Sequence, residues 1–366
     1  MADVVVIGAG PIGLMAAWRS ARAGAAVVVL DDGRPPAGRV AAGMLGPWSE
    51  VEHRDGAMHL LMVAASRRWP ELVVELEADS GHDVGFVPSG TLLVAGRPEQ
   101  IAPLRRHGQT VGTLDSDLEW QTGTALRTLE PGLGPDVAGG FVMHDEHQVD
   151  PRQAMAALRA ACDVKGVEIL DRCARALISE GNRVAGAITT RGEQITATDT
   201  VMAAGWSASR ISHRVPMRPV KGQIMRLGLP AGRSLPVTHV VRSADAYVAP
   251  RPHGEVVVGG TVEEAADTRV TAGAVQSLLE EASRLVPDLR ELELTETAAG
   301  LRPATPDGLP AIGRDTTDGL IWATGAFRHG ILLSPVIADA VAGIVAGQPP
   351  DALLANFTPN RFAEAA

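Results

Sequence analysis

The feature that most constrains this chain stands at its start. Four apolar residues, Val4-Val5-Val6-Ile7, run directly into Gly8-Ala9-Gly10-Pro11-Ile12-Gly13. An all-apolar run is what a parallel strand buried on both faces requires. Leu14 to Ala23 reads as a helix that stops at Gly24, and Ala26 to Leu30 is a second apolar run ending at Asp31-Asp32. The order predicts a complete β-α-β unit. A G-x-G-x-x-G spacing alone is a weak signal, but between a strand and a helix it has a mechanical meaning. Gly8 permits the tight turn, Gly10 lets the backbone approach a pyrophosphate, and Gly13 lets the helix pack close to the strand. The helix start, with Pro11 and Ile12, offers unpaired amides and partial positive charge to the phosphates. Asp31, adjoined by Asp32, can accept hydrogen bonds from ribose hydroxyls. The competing reading is a glycine-rich turn in an unrelated α/β protein, which the strand, helix and acidic residue in sequence disfavour.

The chain has 366 residues, long enough for two domains, and 45% hydrophobic residues, enough for a large core. A net charge of -10 repels phosphate backbones, so nucleic acid is not an expected partner. No basic run suggests a membrane surface, and no apolar stretch reaches the ~20 residues of a membrane span. The start of the chain lacks the pattern of a signal peptide. The two cysteines, Cys162 and Cys173, do not make a disulfide framework. These observations lead to an expectation of a cytoplasmic protein.

Further along, residues 57–79, 150–165, 272–285 and 331–346 read as helices, the second opened by Asp150-Pro151 as cap and first position. Residues 86–94 read as strand, turn and strand. Short strands are expected at 167–170, 174–179, 184–190 and 194–197, and a buried strand at 200–205. Residues 217–262 alternate in the β manner, and 319–323 is a last buried strand before a Thr324-Gly325 turn. The nucleotide-type elements sit at the start, middle and end, with β-rich segments between them. That interleaving predicts an α/β protein: a Rossmann-like dinucleotide domain from residues 1–84, 145–216 and 297–366, and an antiparallel β-rich α+β substrate domain from 85–144 and 217–296. A second nucleotide fingerprint is missing, since Gly132-Leu133-Gly134 lacks the third small residue. One dinucleotide site favours FAD reduced directly by substrate over a pyridine-nucleotide reductase.

Three further segments resemble the D-amino-acid-oxidase-like flavoproteins of the GR2 type, and within them the glycine oxidases of the thiamine pathway. They are Ala41-Ala42-Gly43-Met44-Leu45-Gly46-Pro47, then Val201 to Ser207 with Ala204-Gly205-Trp206, and the pair Gly300 to Gly313 and Ala323 to Pro335. Together they span nearly the whole chain. The resemblance implies that Ala41 to Leu45 pass against the flavin, that Ala174 and Ala204 to Trp206 lie near the ADP moiety, and that His329, Gly330, Ile331 and Leu332 meet the flavin ring. A helix starting near Gly330 would aim its amides at the charge that reduction places on the ring. It also implies that Arg302, in Gly-Leu-Arg-Pro, and Tyr247, the single tyrosine, hold a substrate carboxylate, the arginine by two parallel hydrogen bonds. Arg328 matches a further pocket position, with Met44 and Gly46 lining the pocket near the flavin. Asp245 departs from the histidine found in relatives and would favour a cationic or longer substrate.

The implied reaction is hydride transfer from the carbon next to the amine of glycine, sarcosine or a small D-amino acid to flavin N5. It gives an imino acid, a 2-oxo acid after hydrolysis, and hydrogen peroxide from dioxygen, with positioning as the main catalytic device. No cysteine lies in the C-terminal flavin segments, so the FAD is expected to be non-covalent, and a homo-oligomer is expected. Two rival readings remain: a dehydrogenase of the same fold that passes electrons to quinone or a protein, and a flavin-binding assembly protein without turnover. His144-Asp145-Glu146-His147 looks like a metal cluster but lacks a third ligand, and no metal is expected. Arg105-Arg106-His107 reads as a solvated face.

Overall fold

Ala2–Ile7 and Val27–Asp31 lie side by side as parallel strands, with the helix Pro11–Arg22 connecting them. The computed structural model describes residues 2–50, 56–112 and 118–365. Glu168–Asp171 extends this sheet in parallel beyond Val27–Asp31. On the other side Gln194–Met202 pairs in parallel with the first strand, and Leu320–Thr324 pairs in parallel with Gln194–Met202. Ala311–Arg314 closes that edge antiparallel, and Ala174–Glu180 with Arg183–Thr189 forms an antiparallel hairpin on the early part of Gln194–Met202.

From Val4 to Ile7 the opening strand is apolar at every position because both faces are covered there. Val4 and Val6 face one core with Trp18, Trp69 and Val341, while Val5 and Ile7 face another with Trp322 and Met202. The helices Gly56–Ser80, Pro151–Val164 and Ser334–Val345 contribute to the first of these cores beside Pro11–Arg22.

A second sheet has the order Glu293–Ala304, Arg218–Gly228, Glu255–Gly259, Tyr247–Arg251, Val240–Arg242, Thr91–Ala95, Gly139–Met143, Gln121–Thr122. It is antiparallel except where Val240–Arg242 runs parallel to Thr91–Ala95. The helix Ala272–Leu285 covers one face through Leu278, Ala282 and Leu285 against Val248, Val256 and Val258. A small third sheet joins Met44–Leu45 and Phe86–Val87 to His147–Val149.

The α/β architecture with an interleaved antiparallel sheet is as expected, and several details differ. The segments 194–197 and 200–205 are one strand, Gln194–Met202. Phe86–Val87 and Thr91–Ala95 are not a hairpin but belong to different sheets. The boundary expected at residue 297 falls inside the strand Glu293–Ala304, which pairs along its length with Arg218–Gly228. Arg302 therefore stands on the second sheet. The helices Pro98–Gly112 and Gly123–Leu129 were not anticipated; Pro103 interrupts the helical signal of the first. Among the described residues no helix is long and apolar enough to cross a membrane.

Candidate active site

Four parallel strands end together at Ile7, Asp31, Met202 and Thr324, and ligands of open α/β sheets bind beyond such carboxyl ends. Gly8 takes a φ of 109° there, a conformation in which glycine alone is unstrained. A β-carbon on Gly13 would collide with the Gly8 carbonyl oxygen, so glycine is required for the helix to sit this close to the strand. Gly10 is the N-cap of Pro11–Arg22 and supplies no side chain to the first amides, including those of Ile12 and Gly13. The space over Gly10 is open, with Pro36 Cβ 3.8 Å from where a β-carbon would be. Asp31 accepts from Gly33 N at 3.2 Å and pairs with Arg159 at 2.5 Å. An ionised carboxylate keeps further acceptor positions beyond those two. Asp32 pairs with Arg34 at 2.6 Å. Ala174 is buried beside Leu30 in the second core. Ala204 lies against Gly8, Gly205 accepts from the Thr324 hydroxyl at 3.2 Å, and Trp206 lies under the Arg210 guanidinium at 4.3 Å.

The two ends of the chain meet at Gly38. A β-carbon there would strike the Pro11 ring and come within 3.5 Å of Ile331 Cδ1. The loop Ala41 to Leu45 follows, pinned by Val149 N donating to Gly43 O at 2.9 Å and by Arg251 Nη2 donating to the Ala42 carbonyl. The C-terminal helix corrects one expectation. It begins at Ser334 with Pro335 in its first turn, where a missing N–H costs nothing, and Gly330 to Leu333 form a turn before it. Within that turn Leu333 N donates to His329 O at 2.8 Å, while the amides of Gly330, Ile331 and Leu332 find no acceptor among the described residues. Trp69 Nε1 holds the Leu332 carbonyl at 3.1 Å. Unpaired amides at both ends of one crevice fit a dinucleotide flavin, with diphosphate at one end and ring at the other.

Beyond that crevice lies the second sheet. Tyr247 opens one strand, Arg302 lies on another, and both side chains reach Gly260. Arg302 Nη1 donates to the carbonyls of Thr261 at 2.9 Å and Lys221 at 3.2 Å, while its Nη2 makes no hydrogen bond among the described residues. The guanidinium lies flat against Gly222, where a β-carbon would overlap it. Burial lowers the Arg302 pKa below its ordinary value, with Tyr247 opposing that effect and the Arg328 charge adding to it. Burial likewise raises the Tyr247 pKa, so its hydroxyl stays a neutral donor at pH 7. Met44 and Tyr247 pack on the same small apolar cluster around Ala42 and Ile224. Met44 and Tyr247 are thereby brought together.

Two expected pocket residues face elsewhere. Asp245 lies in the turn before the strand, accepts from Gln100 Nε2 at 2.6 Å, and does not join Tyr247. The free side of Gly46 is filled by Ser49 Oγ and the buried Glu146 carboxylate, 2.6 and 3.0 Å from a β-carbon position. Arg328 is exposed, with its guanidinium 5.2 Å from the Phe327 ring, and Phe327 holds a φ of 46°, a strained turn of the kind that gathers at binding sites.

Sequence reasoning missed a polar tie at the same place. Glu50 pairs with Arg242, the register partner of Tyr247, and with His329 Nδ1 at 3.0 Å. Burial opposes ionisation of Glu50, but Arg242 and then His329 hold its carboxyl well below the usual range. An ionised Glu50 accepts only, so Nδ1 of His329 carries the proton. Glu146 also works on this loop, accepting from Trp48 N and Ser49 N at 2.7 Å each. Its burial raises its pKa to about 7. Within the His144 to His147 run, Glu146 is thus taken up by a structural bond. Asp150, His253 and Glu255 do lie within ligand distance of one another, but Asp150 caps the helix Pro151–Val164 and Glu255 pairs with Arg226.

Residues 3–344 match the family model for FAD dependent oxidoreductases, DAO. A bifunctional protein ThiO/ThiG of Nostoc sp. is 34% identical over 97% of this chain and 54% of its own length. The chain thus spans about half the length of these bifunctional relatives. The crystal structure of glycine oxidase from Geobacillus kaustophilus superposes with a TM-score of 0.91 at 30% identity, covering 98% of each chain. That of an iminodiacetate oxidase from Chelativorans sp. superposes with a TM-score of 0.89 at 27% identity, covering 97% of this chain and 98% of the other.

Proposed function

Because the chain belongs to the DAO family of FAD dependent oxidoreductases, we propose that it oxidises glycine or another small or N-substituted amino acid, with FAD held non-covalently and dioxygen as acceptor. The observation that carries this reading is the convergence of Arg302 and Tyr247 on Gly260, beside the loop that bears Met44. A guanidinium with one terminal nitrogen bound to the protein and the other unbound is arranged to receive a carboxylate. The neutral Tyr247 hydroxyl donates a second bond to it. When bound between the amides after Gly10 and those of Gly330 to Leu332, FAD would supply the two-electron acceptor for the substrate carbon next to nitrogen, with dioxygen as the final oxidant.

The protein's part is orientation. Anchoring the carboxylate at Arg302 and Tyr247 fixes the substrate carbon relative to the crevice, which removes most of the entropy cost of the encounter. The amides of Gly330 to Leu332 hold the ring end, and the amides after Gly10 hold the diphosphate. The names of the superposed glycine and iminodiacetate oxidases support primary and secondary glycine amines as the substrate class. The experiment is oxygen uptake and peroxide formation by purified protein with glycine, sarcosine and iminodiacetate. Peroxide in step with oxygen uptake on at least one of them supports the reading. Substrate-dependent bleaching with no oxygen uptake would make the protein a dehydrogenase.

A further inference from the structure

We propose that Gln223 is a positioning residue for the carboxylate clamp, acting through the strap of residues 261–271 that it fastens to the sheet. The proposal rests on the reading of Arg302 as carboxylate ligand. The strap follows Gly260, has no buried residue of its own, and supplies the Thr261 carbonyl that holds Arg302 Nη1 at 2.9 Å. Backbone bonds between Lys221 and Glu263 at 2.8 and 3.0 Å, and from Thr261 N to Gln223 O at 3.3 Å, fasten its first residues. What ties its two ends to one point is an amide only 1% exposed in the strand beneath. Gln223 Nε2 donates to Glu263 at 2.6 Å near one end of the strap, and Gln223 Oε1 accepts from Thr271 N at 2.8 Å at the other. Its backbone joins in, with Gln223 N donating to Thr261 Oγ1 at 3.0 Å. The equally buried Lys221 holds the middle through Asp267 at 3.1 Å.

One side chain therefore satisfies both ends of a segment that lacks a hydrophobic anchor. A buried amide is costly to leave unpaired, so the closed strap is strongly favoured while Gln223 is present. Without it the Thr271 end is released and Glu263, which also accepts from the Thr261 hydroxyl at 2.5 Å, loses its buried partner. The backbone bridge to Lys221 remains, but the Thr261 carbonyl shifts against Nη1 and the guanidinium loses the orientation that presents Nη2.

The test uses the full-length FAD-loaded protein with acetate as an unreactive carboxylate, its binding followed by perturbation of the flavin spectrum. Gln223→Leu is expected to weaken acetate by about tenfold or more, and to raise KM for glycine while keeping kcat within about twofold. Glu263→Ala removes the partner from a residue about a third exposed, and is expected to weaken acetate in the same direction with folding intact. It decides the matter if the leucine variant does not fold. Arg302→Leu separates the two claims. If it binds acetate like the wild type, the carboxylate reading fails. If it loses acetate while Gln223→Leu and Glu263→Ala keep wild-type affinity, the strap proposal alone is overturned.

Discussion

The Tyr247 hydroxyl and the Arg302 guanidinium close on one glycine: a β-carbon at Gly260 would stand 3.1 Å from Tyr247 Oη and 3.5 Å from Arg302 Nη2. Two donors from different strands thus share a wall without side-chain bulk between them. That geometry leaves room for a small carboxylate and makes the anchoring residues separable by mutation.

Arg302→Leu should keep FAD, because among the described residues the guanidinium bonds only to the Lys221 carbonyl of the second sheet and the Thr261 carbonyl of the strap beside it. It should lower kcat/KM for glycine by about a hundredfold or more, as losing a charge-assisted bidentate bond does. Tyr247→Phe removes one neutral donor and should cost about tenfold. Steady-state kinetics with flavin content measured alongside decides both, and unchanged kinetics in Arg302→Leu would remove Arg302 from the site.

Gly222→Ala places a methyl group into the Arg302 guanidinium. It should reproduce most of the Arg302→Leu defect while the protein still folds and binds FAD. Gly273→Ala, where nothing stands within 4 Å of the new carbon, is the matched control and should leave KM unchanged. A Gly222→Ala protein with wild-type KM would contradict the packing described.

Gly13→Ala drives a β-carbon into the Gly8 carbonyl oxygen, which is backbone and cannot step aside. The helix start must lift from the strand, so the purified variant should retain less than about a tenth of the wild-type flavin at equal FAD. Full flavin loading would place the diphosphate elsewhere.

Glu146 links stability to pH. Its burial raises its folded pKa to about 7, above the unfolded carboxyl. The folded state therefore binds the proton more tightly, and this stabilising contribution is complete below the unfolded pKa and is lost as pH rises towards 7. Glu146→Gln mimics the protonated form and should remove a loss of about 3 kcal/mol between roughly pH 4.5 and 8. Denaturant melts of both proteins across that range test it; parallel curves would mean that Glu146 does not titrate there.

Much of the fold was legible because its signals are local. The opening β-α-β unit, the Asp150 cap and the helix Ala272–Leu285 follow from runs, periods and caps confined to a few residues. The site was legible only in part. Asp245 precedes Tyr247 by two residues, which on a strand would put both on one face. Ser243 N instead bonds Ala246 O at 2.8 Å, so a turn occupies those positions and the alternation begins at Tyr247. Glu50, Arg242 and His329 come from three distant segments, and no local pattern marks a trio that only the tertiary fold brings together. Gln223 looked like any polar residue in an alternating strand, because its value lies in a strap that joins the sheet from far downstream. Cys162 is fully buried, and that burial pushes its thiol pKa up to about 12.

The central claim is that one small amino acid, held by Arg302 and Tyr247, reduces a flavin lodged between the two ends of this chain. Anaerobic mixing of the purified protein with glycine, sarcosine and small D-amino acids tests it directly, following the visible flavin band. The account predicts a yellow protein that at least one of these substrates bleaches, and an Arg302→Leu variant that stays yellow at the same substrate concentration. A colourless protein that takes up no FAD, or a flavin that none of these amines bleaches, would contradict it.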